Sequence, residues 1–228
     1  MYAQRPSRLP GAVLWTNEPG APHARPVLPD GCMDLLWNGD RLLVAGPDTR
    51  AYRPGGGPAR WTGVRFFPGT APTLLGVPAH ELKDRRVELS DLWQAPEVRR
   101  LAARLRAAGT PARTLDALEN IALARAAASD PFDPLLRELV AALDAGRPVA
   151  ATADRLGLGA RQLHRRSLTA FGYGPKTLAR ILRLQRALAL ARTGTSFALT
   201  AARSGYADQP HLSREVRQLT GTTLAELL

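Results

Sequence analysis

The chain has 228 residues, 45% of them hydrophobic, enough to bury one large core or two smaller ones, which excludes wholesale disorder. Its formal net charge is +11, and its single cysteine, Cys32, excludes an internal disulfide and a multi-cysteine zinc site. No apolar run comes near the roughly 18 residues of a membrane span, and the opening MYAQRPSRLPG lacks the apolar stretch of a secretory signal, so the expected compartment is the cytoplasm.

Residues 1–90 read as a β-rich unit. CMDLLW and RLLVAG flank Asn38-Gly39-Asp40, and Asn-Gly between apolar runs is a strong hairpin signal. ARWTGVRFF alternates enough to form another strand, RPGGGPAR (53–60) reads as a flexible loop, and TAPTLLGVPAHELKD reads as short helical turns.

From Ser90 the pattern turns helical. SDLWQAPEVRRLAARLRAAG and ARTLDALENIALARAAAS carry helical periodicity and are parted by Pro111, and residues 91–130 are expected to form a helical linker or dimerisation segment. Asp133 as cap, Pro134 at the first helical position and Gly146 as stop delimit the next helix. Everything beyond is helical with short turns, so 131–228 is expected to be an all-α domain. The fold class is therefore α+β.

Charge is concentrated in this last part. From Gly146 onward there are thirteen Lys and Arg and four Asp and Glu, a net of +9, against +2 for the first 145 residues. A local surplus of this size points to a polyanionic partner. Only Lys83 and Lys176 are lysines, so the contacts would be made mainly by guanidinium groups.

The same region repeats itself. ADRLGLGARQLHRR begins at Ala153 and AARSGYADQPHLSR at Ala201, each a short helix, a glycine turn at Gly157 or Gly205, and a helix around Leu163-x-Arg165 or Leu212-x-Arg214. That is a helix-turn-helix written twice. In the second copy Leu212, Val216 and Leu219 form an apolar stripe, Asp208 is placed to cap, and Pro210 sits in the first turn. Between the copies, GPKTLARILRLQRALALARTG predicts one helix from Pro175 to Gly194; about 18 residues at about 1.5 Å each span about 27 Å. This is the scale of one turn of DNA, about 34 Å between half-sites.

These motifs, with LGLGARQLHRR, FGYGPKTLARILRLQRAL and SGYADQPHLSREVRQLTGTT, resemble the DNA-binding domain of AraC-type (AraC/XylS) bacterial transcription regulators over about 95 residues. LPDGCMDLLW, VAGPDTR and GVRFFPGTAPTLLGVPAHEL are similar to the uncharacterised sensor-like domain that precedes it in some of them. The resemblance implies a sequence-specific, non-enzymatic regulator without a cofactor, whose partner is double-stranded promoter or operator DNA. It leaves a small-molecule effector, RNA polymerase and a second copy of the chain open as further partners. It implies two recognition helices, about 159–170 and 208–219, in successive major grooves. The chain departs from the family pattern at Ser167 and Val216, where phenylalanine is usual, and in TTLAELL, which lacks the usual proline, aromatic and arginine. Leu168 and Phe171 are expected to fill the core around Ser167.

On this reading Arg161, Gln162, His164 and Arg165 of the first helix and Gln209, Pro210, His211 and Arg214 of the second face the bases, since Arg reads guanine and Gln reads adenine. Arg166, Lys176 and Arg217 are assigned to phosphate. Arg165 has the alternative of pairing with Asp154, and His211 that of a satisfied buried histidine. Arg180, Arg183 and Arg186 partly line the connecting helix.

In the N-terminal part, Trp15, Trp37 and Trp61, together with Trp93, are candidates for an effector pocket, and core packing is the alternative. Cys32 is a candidate redox centre or nucleophile for a competing reading, an N-terminal enzyme or sensor with a helical partner-binding tail. Only His23 and His80 stand near it in sequence, and no clustered metal ligands are present.

Overall fold

The computed structural model describes residues 2–17, 26–54 and 60–228; the glycine run of the 53–60 loop and His23 lie outside the described residues. Six antiparallel strands form one sheet. In chain order they are β1 (Tyr2–Pro6), β2 (Ala12–Asn17), β3 (Met33–Trp37), β4 (Leu42–Ala45), β5 (Trp61–Phe66) and β6 (Arg86–Glu88), arranged β1-β2-β5-β3-β4-β6. The Asn38-Gly39 hairpin joins β3 and β4. The Asn38 side chain accepts from the N–H groups of Asp40 and Arg41, and Gly39 takes φ 96, a left-handed conformation that glycine adopts without strain. β1, β2 and β6 extend the predicted sheet: β1 is an exposed edge and β6 is only three residues, whereas β2 is a six-residue strand whose alternation sequence reasoning missed.

One face of the sheet is apolar because alternate residues fall on it. Leu14, Val64, Leu35, Val44 and Val87 stand in one row across five strands, and all are buried. Against this face pack α1 (Ala71–Leu75), α2 (Ala95–Ala107) and α3 (Pro111–Ala127). The helices read as a linker thus belong to the sheet's own core: Leu105, Leu118, Ile121 and Ala122 join one cluster with the strand residues. Periodicity identified them as helices but carries no information about what covers their apolar side.

Glu119 of α3 ties this layer to the chain start. It is 1% exposed, and it accepts from the Ser7 hydroxyl (2.9 Å), the Arg8 backbone N–H (2.6 Å) and Arg8 Nε (2.9 Å). Burial alone raises its pKa, but these three donors outweigh it and hold the carboxyl below its ordinary value. A depressed folded pKa stabilises the fold above the unfolded value and loses that stabilisation as pH falls through the folded one. Glu119→Gln is therefore expected to lower the unfolding free energy by about 1.5–3 kcal/mol at neutral pH in urea titrations. The gap from wild type should close in acid.

The helical half holds α4 (Pro134–Asp144), α5 (Val149–Arg155), α6 (Ala160–Phe171), α7 (Pro175–Arg192), α8 (Phe197–Ser204) and α9 (Gln209–Thr220). Asp133 caps α4 by accepting from Leu135 N–H, as its Asp-Pro start predicts. α7 is apolar on more than one side because it serves two cores. Leu178, Ile181 and Leu182 enter the cluster of α4–α6, whereas Leu184, Ala187, Leu188 and Ala191 enter that of α8 and α9.

The two halves are packed together. The Ala51 N–H donates to the Leu219 carbonyl (2.7 Å), Gln185 Nε2 donates to the Pro29 carbonyl (2.6 Å), and Leu28 packs against the α8–α9 core. At the end of α6, Gly172 takes φ 81, and a Cβ there would stand 2.7 Å from Pro47 Cγ and 3.1 Å from the Ala79 carbonyl oxygen. Only glycine permits both the turn and this approach.

Candidate nucleic-acid interface

Each helix-turn-helix is built by the same means. Gly157 (φ 65) follows the turn of α5, and Gly205 (φ 79) ends α8, each reversing the chain through a conformation that costs other residues. Leu163 and Leu212 then plug the second helix of each pair into its core, at 1% and 0% exposure. In α9, Asp208 caps by accepting from His211 N–H (2.6 Å), and Pro210 lies within the first turn.

With the buried side fixed, the outer side follows from helix geometry. Arg161, Gln162, His164 and Arg165 of α6 and Gln209, Pro210 and Arg214 of α9 are exposed. The side chains of Arg161, Arg165 and Arg214 make no hydrogen bond or ion pair among the described residues, so Arg165 does not pair with Asp154. His164 lies against Gly174, where a Cβ would stand 2.9 Å from its Cε1. Lys176 and Arg217 are likewise exposed.

Other sequence-predicted residues have partners within the chain. Arg166 pairs with Asp133 (2.9 Å) and so links α6 to the start of α4. His211 is half-buried: its Nδ1 accepts from Ala207 N–H (3.3 Å), its Nε2 stands 3.6 Å from Glu215, and its ring meets Tyr206 edge-on at 5.3 Å. Arg186 donates to the Leu143 carbonyl (3.2 Å) and to that of Asp144, satisfying acceptors at the end of α4.

Glu215 is the residue that sequence reasoning missed. It sits on α9 among donors and looks like one more solvated acid, yet it is 6% exposed. Arg183 Nη2 donates to both its carboxylate oxygens (2.9 and 2.8 Å), and Arg180 approaches to 3.5 Å. Arg183 also lies over the Tyr206 ring at 4.4 Å and donates to the Gly205 carbonyl (3.3 Å). The network locks α9 to α7 and to the turn. Burial first, and then Glu215, push the Tyr206 hydroxyl up to about 12 from an ordinary 10.0. A raised folded pKa keeps its stabilising contribution below the unfolded value, and that contribution is lost as pH rises through the folded one. Alkaline denaturation should therefore begin near pH 10 and run towards 12, with phenolate absorbance appearing as the protein unfolds.

The departures from the family pattern fall in the core and in the last turn, and the buried Ser167 hydroxyl has no partner among the described residues. Ser167 is wholly buried and Phe171 is 1% exposed in the core, whereas Leu168 is only half-buried. In the last turn Glu226 accepts from the Thr222 hydroxyl and the Thr223 N–H, which draw its pKa down to about 2, and Leu224 fills the α8–α9 core.

The tryptophans do not converge. Register puts Trp37 on the core face of the sheet and Trp15 and Trp61 on the other, because neighbours along a strand alternate. Trp37 is 4% exposed, and Trp15 donates to Asp34 (2.7 Å), so no one cavity is lined by all three. Trp93 is core and donates to the Leu75 carbonyl. Cys32 lies beside Asp30. Burial first, then Asp30, push its thiol pKa well above the ordinary value, the opposite of what a reactive thiolate needs. Among the described residues no group of three metal-ligating side chains is present, and no helix is long and apolar enough to cross a membrane.

Residues 152–228 match the family model of a helix-turn-helix domain, and residues 12–88 match that of a domain of unknown function (DUF6597). No curated protein matches the chain significantly. A probable AraC family transcriptional regulator from Rhodopseudomonas palustris is similar over 42% of this chain and 95% of its own, at 24% identity and a TM-score of 0.37. ToxT from Vibrio cholerae is similar over 99% of this chain and 96% of its own, at 9% identity and a TM-score of 0.49. A ToxT structure bound to a methylnaphthalenyl-butenoic acid gives 10% identity, 100% and 99% coverage and the same TM-score. With two glycine-turned helix pairs on one connecting helix and the family match over both, the C-terminal region belongs to the AraC-type helix-turn-helix domains, and the chain that carries it is a DNA-binding transcription regulator.

Proposed function

We propose that α6 and α9 read successive major grooves on one side of a promoter or operator, with α7 as the rigid spacer. Arg161, Gln162, His164 and Arg165 would face one groove, and Gln209, Pro210, His211 and Arg214 the other. Lys176 and Arg217 would grip phosphate, helped by the Lys176 backbone N–H in the first turn of α7. Arg166 would contact phosphate only on leaving Asp133. The observation that carries this reading is the pair of exposed, unpaired arginine sets, one on each helix-turn-helix, joined through a helix about 27 Å long. The N-terminal half would act as an effector-binding or oligomerisation domain rather than as an enzyme, with RNA polymerase as a further partner and the cytoplasm as the site of action.

The test is a fluorescence-anisotropy titration against the chain's own upstream DNA, with unrelated DNA as competitor at fixed salt. A preference of about a thousandfold or more is expected. Affinity should fall steeply with salt, roughly as the −0.9Z power for Z phosphates. Arg214→Ala should weaken specific binding by about 1–3 kcal/mol and relax the preference at one base step. Wild-type affinity in that variant would refute the placement of α9.

A further inference from the structure

A cleft of about 460 Å³ opens where the β3–β4 turn and the end of β6 meet one side of α2, from Ala95 to Arg106. Leu42, Val98 and Ala102, all buried, form its apolar floor. Arg41, Arg99 and Arg106 stand around it with two carboxylates, so one guanidinium is in excess. Arg41 pairs with Glu88 (3.1 Å) and Arg106 with Asp40 (3.0 Å); the four side chains are at least 45% exposed, and such pairs exchange partners readily. Arg99 makes no hydrogen bond or ion pair among the described residues. The Ser90 hydroxyl on the wall is also unpartnered there, and the Gln94 side chain leaves the first turn of α2 uncapped.

We infer that this cleft binds an organic carboxylate with a compact apolar body. A guanidinium fork pairs a carboxylate through two parallel hydrogen bonds, and first-turn N–H groups favour the same charge. A cation would meet the excess arginine. An inorganic anion would leave the Leu42–Val98–Ala102 floor in water, and a neutral apolar body would make no use of Arg99. The volume lies within the range of small-molecule sites. The inference gives the effector role proposed for the N-terminal half a place and a ligand class. It rests on that reading only for its consequence in regulation, and not for binding.

Arg106 stands over the Trp37 ring at 5.7 Å, so an occupant that re-pairs Arg106 alters a tryptophan's surroundings. The experiment titrates the full chain with cyclohexanecarboxylate, following tryptophan emission and calorimetric heat, with cyclohexylmethanol and cyclohexylammonium as matched bodies. Saturable binding of the carboxylate, at least about tenfold tighter than the alcohol, is expected, with no saturation by the ammonium. Arg99→Glu reverses the free charge and Ser90→Trp fills the mouth. Both sites are exposed, so circular dichroism should stay that of wild type while affinity falls at least about tenfold. Equal binding of carboxylate and alcohol overturns the inference, as does carboxylate binding that survives both substitutions. DNA affinity is read in a separate titration, so failure of the regulator reading leaves this result standing.

Discussion

Glu215→Ala is expected to destabilise the second helix-turn-helix by about 2–4 kcal/mol, seen as a lower urea midpoint followed by circular dichroism. Removing one partner of a buried ion pair strands the other, at about 3–5 kcal/mol when both are fully enclosed. Arg183 keeps about a quarter of its side chain in water, which trims the cost. Its Nε is already buried without a partner, and with Glu215 gone the Gly205 carbonyl would be its one remaining hydrogen-bond acceptor among the described residues. Glu215→Gln keeps the shape and one acceptor and should lose roughly half as much. In both variants Tyr206 loses a negative neighbour, so phenolate formation should begin at a lower pH than in wild type. An unchanged midpoint in Glu215→Ala would show that α9 is held by its leucine stripe alone.

Phe171→Ala is expected to cost about 3–5 kcal/mol, the range for deleting an enclosed aromatic ring. The side chain is 1% exposed and closes the α4–α7 core. It also reaches the other half: a Cβ on Gly69 would stand 3.0 Å from its ring and 3.5 Å from Leu136 Cβ. The cavity thus opens at the seam between halves, and the urea transition should broaden or split as they uncouple. Phe171→Leu should cost far less, about 1.5 kcal/mol or under. The exposed side of α6 is untouched, so the folded fraction should keep its sequence preference for DNA. A single sharp transition at the wild-type midpoint would refute the seam role.

What was legible in the sequence divides along the range of the interaction. Asn38-Gly39, Asp133-Pro134 and the glycines after each short helix act within a few residues, and the elements they mark stand where expected. The Leu163 and Leu212 stripes are local periodicities too, and they fix which residues of α6 and α9 lie on the outer side. The rest depends on partners far away. Glu215 carries no local mark that separates a buried pair from a solvated acid, because Arg183 belongs to another helix. Trp37 and Trp15 look alike until strand bounds are known, and one residue of register decides which face each occupies. Nothing in the pattern of α2 and α3 names the sheet beneath them, so the pattern alone suggests a linker or dimerisation segment.

The seam has a consequence for how the chain is made. Pro29 leaves the ribosome long before Gln185, its partner 156 positions later. At about 5–20 residues per second, Leu28 and Pro29 wait on the order of ten to thirty seconds for the surface that covers them. During that interval the sheet half has its own core but an open flank. The second helix-turn-helix, which emerges well after the sheet, closes over that flank as it packs. Docking of α9 is therefore coupled to a sheet that has folded before it, and a defect on either side of the seam is felt on both.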